Sequence, residues 1–160
     1  MKGHLKERSP GHWVFVRSVT DPVTGKRKRV WHSFRARGIK EARIEKAKLI
    51  ASITQGSYIE PTRTNIADFV ATRINQWEAN GNVSARSAAR YRGLLKKQIA
   101  PHLGLVPLQR LSHLQLEAWH TTRRNCGLAA RTIGFAHRLL GKALSDAERD
   151  GLISRNVSKV

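Results

Sequence analysis

The 160 residues of this chain allow one ordinary domain or two small ones, because domains typically contain about 100 to 150 residues. The chain contains 30 Lys and Arg against 11 Asp and Glu, a formal net charge of +19, and therefore needs an anionic partner. Nucleic acid is the first candidate for this partner, because cations that bind its phosphates release counterions. No stretch approaches the roughly 18 to 20 consecutive apolar residues of a membrane-spanning helix, and no apolar signal segment follows the N-terminus, so we expect no membrane association and a cytoplasmic protein.

The first segment predicts a β-hairpin with strands at residues 12–19 and 27–35. The turn between them contains Asp21, Pro22 and Gly25, which favour turns through a fixed or a positive φ. Successive side chains of a strand point to opposite faces. If both strands stay in phase, four apolar side chains form the core face: Val14, Val16, Val30 and Phe34. The opposite, exposed face then collects arginines and aromatic residues: Trp13, Phe15, Arg17, Arg27, Arg29, Trp31 and Arg35.

A helix is predicted over residues 39–54, and it carries two apolar stripes. The stripe expected to cover the valine face contains Ile44, Ala47, Ile50 and Ala51. A second stripe, available to a neighbour, contains Ala42, Leu49 and Ile53. Gly56 ends the helix, and residues 57–64, which contain proline and threonines, predict a linker. We therefore expect one domain at residues 1–56 and a second at residues 65–160.

The charge is shared by both sides of this linker. Residues 1–63 contain 15 basic and 5 acidic side chains, and residues 64–160 contain 15 and 6, so the two parts carry about +10 and +9. A disordered basic tail on a neutral domain would place nearly all of the charge at one end. Each part is therefore predicted to meet phosphates.

The second part contains only helical patterns, at residues 65–80, 84–100, 112–125 and 130–150. Asn65 and Ser84 can cap the first two helices, and Pro101 is expected to stop the second. The predicted core side chains are Ile66, Phe69, Val70, Ile74, Trp77, Ala88, Tyr91, Leu95, Ile99, Leu116, Trp119, Ile133, Leu140 and Leu144. The fold class that follows is an α+β N-terminal domain, with a small antiparallel β-sheet and one helix, followed by an all-α four-helix bundle.

Candidate DNA contacts of the first domain surround the second strand. They are Arg17, Lys26, Arg27, Lys28, Arg29, Trp31, Arg35 and Arg37. A sheet face fits the DNA major groove, where Arg pairs with guanine edges and aromatic rings meet thymine methyl groups. Other interpretations stay open: the basic run as a solvated hairpin tip, Trp13 and Trp31 as core residues of a very small domain, or a bulge that exchanges the faces of a strand.

Candidate contacts of the second domain lie on two of its helices. The first turns of the second helix contain Ser84, Arg86, Ser87 and Arg90, where backbone N–H groups and the helix dipole also attract phosphate. The fourth helix contributes Arg131, Thr132, Arg138 and Lys142. The open alternative is ordinary capping on a solvated face.

The sequence shows no constellation typical of a catalytic or metal site. The seven histidines are scattered, Asp68, Glu78 and Glu117 are isolated, and Cys126 is the single cysteine. We therefore predict no catalytic residue, no metal and no cofactor. The competing hypotheses are a nuclease hidden among the histidines and an RNA-binding or ribosome-associated basic protein.

Short motifs along the chain follow an order shared with a known family. In the first part they are Gly11–Trp13, Asp21–Arg27, Phe34 and Lys40–Ala42. In the second part they are Tyr91, Leu95, Ile99–Gly104, Leu108–Ser112, Trp119, Gly127–Ile133 and Ala147–Asn156. This order, over nearly the whole chain, resembles the N-terminal half of a phage-type integrase of the tyrosine recombinase family. Val157 departs from the family's pattern, which has a proline at that place.

The resemblance implies a function for each part. Residues 1–56 would form an arm-type DNA-binding domain and residues 65–160 a core-binding, SAM-like domain, so that the chain binds duplex DNA sequence-specifically at arm-type and core-type attachment sites during DNA integration. The family's catalytic domain would begin beyond Val160, and neither Tyr58 nor Tyr91 stands in the family's nucleophile context. We therefore expect no enzyme activity from this N-terminal fragment. The resemblance also implies a parent that acts as a homotetramer on DNA at the nucleoid of a bacterial host; for the fragment, a monomer stays open.

Overall fold

The computed structural model describes residues 3–21 and 24–159. Pro22 and Val23 of the predicted turn lie outside the described residues. The chain divides into two compact units, Met1–Tyr58 and Ile59–Val160, which we call unit 1 and unit 2.

Unit 1 contains a three-stranded antiparallel sheet and one helix. The strands β1 (Gly3–Ser9), β2 (His12–Thr20) and β3 (Arg27–Arg35) stand in the order β1-β2-β3, and α1 spans Ile39–Thr54. The strand β1 was missed in the sequence, because Leu5 is its one large apolar side chain and gives no alternation. Its signal is the turn dipeptide Pro10-Gly11 directly before β2, where Gly11 has a φ of 73°.

The pairing of β2 with β3 exchanges the predicted faces of β2. Thr20 pairs with Arg27 across a six-residue connection, so residues of opposite parity share a face. One face carries Trp13, Phe15, Arg17, Val30, His32 and Phe34, and the other carries Val14, Val16, Arg27, Arg29, Trp31 and Arg35. The prediction for β2 was therefore wrong: Trp13 and Phe15 are buried core residues on the first face, although Val14 on the second face is buried as well. The length of the connection decides the relative phase, which alternation within each strand does not reveal.

The helix α1 packs through the stripe that the sequence assigned to a neighbour. Ala42 of that stripe is fully buried, whereas Ile44 of the other stripe is 55% exposed. Trp13, Ala36 and Ala42 form one buried cluster of unit 1, with Leu5 and Phe34 packed against them. The predicted choice between the stripes was wrong because both are apolar, and only the sheet that α1 meets distinguishes them.

Unit 2 is helical. Its elements are α2 (Ile66–Ala79), α3 (Ala85–Leu94), a π-helical turn (Leu95–Ile99), α4 (Ala100–Leu103), α5 (His113–Asn125), α6 (Ala130–Arg149) and 3₁₀ turns at Leu108–Arg110 and Val157–Lys159. The side chains of Asn65, Ser84 and Ser112 accept hydrogen bonds from backbone N–H groups in the first turns of α2, α3 and α5. These caps explain why three helices begin where the sequence predicts.

The second predicted helix continues past Pro101 rather than stopping there. The N–H of Ala100 donates to the carbonyl oxygen of Leu95, five residues back, in the π turn. Proline has no N–H, and in a regular helix its ring clashes with the carbonyl four residues before it. The wider turn directly before Pro101 accommodates the ring. The chain therefore remains helical to Leu103.

One core holds unit 2 together. The predicted core side chains are buried in it, except that Tyr91 is partly buried against it and Ile133 is buried outside this cluster. The carboxylate of Asp146 is buried in this core and accepts hydrogen bonds from Trp77 Nε1 at 2.7 Å and from Arg149 at 2.6 Å. Both carboxylate oxygens are thus satisfied, as burial of a charge requires. None of the described helices is long and apolar enough to cross a membrane.

Candidate nucleic-acid interface

The sheet face opposite α1 surrounds an exposed tryptophan with cations. Trp31 is 61% exposed and pairs with Val16 of the central strand, and Lys6 pairs with Val14 on the same face. We call this surface the basic sheet face; its members are Lys6, Arg27, Arg29, Trp31 and Arg35. An exposed indole ring on a sheet face that also carries several cations is typical of a surface that a partner covers.

Arg17 does not belong to the basic sheet face. It lies on the α1 side, where its Nε donates to His32 Nε2 at 3.1 Å, and His32 Nδ1 lies 2.8 Å from the Tyr58 hydroxyl oxygen. Because Nε2 accepts a hydrogen bond from Arg17, the matching tautomer of His32 carries its hydrogen on Nδ1 and donates it to the Tyr58 hydroxyl oxygen. The prediction that placed Arg17 on the exposed face was wrong, since the true phase of β2 turns this residue inward.

Three other predicted contacts of unit 1 lie beside the basic sheet face. Lys28 pairs with Val19 on the Arg17 side of the sheet, and its side chain is exposed. Lys26 is exposed in the connection between β2 and β3, and Arg37 is exposed just after β3. These residues extend the positive charge around β3 without sharing its outer face.

In unit 2, α3 and α6 bring three arginines to one aromatic ring. The guanidinium carbons of Arg90, Arg138 and Arg131 lie 4.0, 4.6 and 5.6 Å from the ring centroid of Phe135. Phe135 is half-buried and lies outside the buried core cluster. Attraction between each cation and the ring face offsets part of the repulsion among the guanidinium groups. The ring thus gathers charge from two helices at one place.

The row of cations continues along both helices. Lys142, one turn after Arg138 on α6, places its Nζ 4.3 Å from the Trp77 ring centroid and 6.0 Å from that of Tyr91. Arg86 is exposed one turn before Arg90 on α3. We call this surface the basic helical face; its members are Arg86, Arg90, Arg131, Phe135, Arg138 and Lys142.

The cations of the two faces have no acidic partner in the part of the chain that the structure describes. Among residues 3–21 and 24–159, none of them forms an ion pair, whereas Arg73, Arg92 and Arg149 each pair with a carboxylate. Uncompensated charge creates a positive potential that attracts anions and raises their rate of association. The carboxylates of unit 2 that form these ion pairs bind Arg73, Arg92 and Arg149 instead of the cations of the basic helical face.

The remaining predicted contacts of unit 2 are polar rather than charged. Ser84 Oγ accepts from the Ser87 N–H at 3.2 Å and lies 3.1 Å from Ser87 Oγ, so both serines serve the α3 cap. Thr132 is half-buried in the first turn of α6. The capping interpretation of the serines is confirmed, and their contact with DNA stays a prediction.

Two histidines meet between α5 and α6. The ring centroids of His120 and His137 are 4.8 Å apart, and His120 Nε2 and His137 Nδ1 are buried without a hydrogen-bond partner in the described part of the chain. Burial, together with the charges of His137 and Arg124, lowers the pKa of His120. No group of three His, Cys, Asp or Glu side chains that could hold a metal ion occurs among the described residues.

Sequence reasoning missed two members of these surfaces. Phe135 was overlooked, although its spacing from Arg131 and Arg138 places all three on one side of α6. Lys6 was overlooked with the whole of β1. The approach of Arg90 to Phe135 joins separate helices, and no local pattern indicates it.

Comparisons with known proteins place this fold among integrases. No protein-family model matches the sequence, and no curated protein shows a significant match. The chain is similar to an integrase-like domain from Bacillus cereus, with 25% identity and a TM-score of 0.58 over 62% of this chain and 83% of that one. It is also similar to the Tn1549 transposon integrase in complex with circular intermediate DNA, with 22% identity and a TM-score of 0.53 over 61% of this chain and 30% of that one.

The lambda integrase tetramer bound to a Holliday junction is similar over 97% of this chain, which includes both units. The identity is 19% and the TM-score 0.53, so the likeness concerns the fold. The chain spans 43% of the lambda integrase chain and about a third of the Tn1549 chain. The resemblance to integrases that the sequence motifs indicate is confirmed, as is the predicted fold class.

Proposed function

We propose that this chain binds duplex DNA through two separate surfaces, the basic sheet face and the basic helical face, as the N-terminal part of a site-specific tyrosine recombinase. One observation carries the proposal. On each unit an aromatic side chain, Trp31 or Phe135, lies among cations that have no carboxylate partner in the described residues. A phosphate backbone supplies the missing negative charge, and displaced counterions favour the complex.

The basic sheet face is suited to binding in the major groove of DNA. The same side of β3 carries Arg27, Arg29 and Arg35. Successive residues on one side of a strand are two positions, or about 6.6 Å, apart. The major groove, about 12 Å wide, admits a β-ribbon, and a guanidinium group can pair with the O6 and N7 atoms of guanine. We assign this face to arm-type sites, with Trp31 against a thymine methyl group or a sugar, and with Lys26, Lys28 and Arg37 on flanking phosphates.

The basic helical face is suited to backbone contacts at core-type sites. Arg131 and Lys142 mark the ends of a row of about 16 Å along α6, and α3 runs beside it with Arg86 and Arg90. Contacts to phosphate fix the position of a protein on DNA, and the N-terminal N–H groups of a helix add donors. We assign Ser84, Ser87 and Thr132 to this positioning role.

The proposed domains are residues 1–56 and 65–160, joined by a linker at 57–64 that would let one molecule hold two DNA segments. The similar structures support recombination as the setting, since they contain Tn1549 integrase with circular intermediate DNA and lambda integrase with a Holliday junction or a COC′ core site. We propose that strand cleavage belongs to a catalytic domain of a longer protein that assembles as a tetramer on bacterial DNA. No residue of this chain is assigned to that chemistry.

Footprinting of the full chain on DNA selected from a random duplex pool tests the proposal. We expect two protected regions of different sequence, one lost in Trp31→Ala and the other in Arg90→Ala/Arg138→Ala. Lys48→Ala is the control, because Lys48 of α1 is already paired with Glu45 at 2.7 Å. Absence of salt-sensitive duplex binding would refute the proposal. Equal competition by duplex RNA would favour the RNA-binding alternative, because the major groove of A-form RNA is too narrow for a sheet.

A further inference from the structure

A pocket of about 280 Å³ opens between α3 and α6 at the centre of the basic helical face. Its wall is apolar and aromatic, formed by Tyr91, Leu94, Phe135 and Leu139. Its rim carries the cations Arg90, Arg138 and Lys142. The pocket therefore combines two chemistries that a phosphate alone would not use, because a phosphate contacts the rim and leaves the apolar wall in water.

We propose that this pocket receives a single unstacked nucleobase of the bound DNA, while the cations of its rim hold the phosphates on either side. The inference rests on the proposed function, and it adds a state of the DNA that contact with an intact duplex does not require. A planar ring joined to phosphates fits an apolar wall with a cationic rim. This is the combination used to bind single-stranded nucleic acid, in which bases stack on aromatic side chains in a positive groove.

The size of the pocket limits what can enter. Its 280 Å³ is just below the range of about 300 to 1,000 Å³ typical of small-ligand sites, which is room enough for a single nucleobase. A base that enters must therefore leave its stack. The cost of unstacking is smallest where the base already lacks a partner.

Two side chains of the wall can contact such a ligand. Phe135 lies outside the buried core cluster of unit 2, and the guanidinium carbons of Arg90 and Arg138 lie 4.0 and 4.6 Å from its ring centroid. A base that stacks on this ring takes the place of a guanidinium group, which then binds the adjacent phosphate. The Tyr91 hydroxyl makes no hydrogen bond within the described residues, although the Tyr91 ring packs edge-on against Trp77. The phenol can therefore donate to or accept from a base edge without giving up a contact of its own.

Three duplexes of one sequence test the inference: fully paired, with one bulged nucleotide, and with an abasic residue at the bulge. The two bulges share the same flexibility and charge and differ only in the base. Stacking on one aromatic ring is worth about tenfold in affinity, so the full chain is expected to bind the base-containing bulge about tenfold more tightly than the abasic bulge. Fluorescence anisotropy measures the ratio directly.

The affinity for the base-containing bulge divided by that for the abasic bulge, measured for each variant, distinguishes an effect on the pocket from an effect on DNA binding in general. In Phe135→Leu, which keeps an apolar side chain and loses the ring, the ratio is expected to fall to about one. In Leu105→Ala, which shortens a 90% exposed side chain outside the pocket lining, the ratio should stay near ten. Equal binding of the two bulges by the parent, or a tenfold ratio that persists in Phe135→Leu, would overturn the inference. Failure to bind any of the three duplexes would overturn the proposed function as well.

Discussion

Removing Arg90 and Arg138 together should change how DNA binding depends on salt. Both guanidinium groups lie on the Phe135 ring, at 4.0 and 4.6 Å, and neither forms an ion pair within the described residues. Each phosphate neutralised on B-DNA contributes about 0.9 to the slope of log affinity against log salt concentration. The slope for Arg90→Ala/Arg138→Ala is therefore expected to be smaller than that of the parent by about 1.8.

The same slope determines where the loss of affinity is visible. Between about 50 and 200 mM salt, a slope difference of 1.8 changes the ratio of parent to variant affinity by about twelvefold. The variant should be far weaker than the parent at the lower concentration and approach it at the higher one. Fluorescence anisotropy of the full chain with one labelled duplex, repeated at five salt concentrations, gives both slopes.

A charge-matched variant controls for the lower net charge. Lys48→Ala/Arg92→Ala also removes two cations, but Lys48 is paired with Glu45 and Arg92 with Glu78. Its slope should match that of the parent, with melting curves to confirm that each variant folds. If both double variants lose the same slope, long-range charge alone explains binding. If the Arg90→Ala/Arg138→Ala slope is unchanged, these two side chains do not contact phosphate.

Three further predictions concern the core and the pH dependence of stability, and urea denaturation measures each of them. Trp13→Ala should destabilise unit 1 by about 3 to 5 kcal/mol, since Trp13 is buried and donates to the Ala36 carbonyl oxygen, whereas Trp31→Ala should leave stability unchanged; equal effects would contradict the assigned faces. Asp146→Ala should cost about 1 to 3 kcal/mol because it leaves the buried Trp77 N–H without an acceptor, and Asp146→Asn, which keeps an oxygen, should cost less. Burial lowers the pKa of His120, so its contribution to stability is complete above the ordinary value of 6.5 and is lost as pH falls through the folded-state pKa. His120→Gln should therefore flatten the decline of the unfolding free energy below pH 6.5, and an unchanged decline would assign it to other groups.

The helices were predictable from the sequence because their signals are local. Asn65, Ser84 and Ser112 stand at the N-termini as capping residues, and the apolar stripe of α6 identifies its buried side. The faces of β2 depend instead on the length of the connection to β3, which pairs Thr20 with Arg27. This one non-local fact turns Arg17 inward and makes the indole of Trp13 a core group.

The candidate site was predictable where it depends on spacing within one helix, and not where it depends on packing between helices. Helical spacing places Arg131, Arg138 and Lys142 on one side of α6, and the structure keeps them there. The meeting of Arg90 with Phe135 depends on how α3 packs against α6, which no spacing within either helix encodes. The length of the helix before Pro101 was equally hidden, because a π turn replaces the expected stop with a wider turn.

The charge that favours DNA binding also opposes folding, and salt should act on the two in opposite directions. Unpaired cations gathered around Phe135 repel one another in the free protein, and ions screen this repulsion over a Debye length that falls from about 10 Å at 0.1 M to about 3 Å at 1 M. Added salt should therefore raise the melting temperature of the free chain while it weakens the complex with DNA. Because Arg90→Ala/Arg138→Ala removes part of the repulsion, its melting temperature should rise less with sodium chloride than that of the parent. An identical rise in both proteins would mean that cation–π contacts already cancel the repulsion, and that these arginines are held on the ring at no cost in stability.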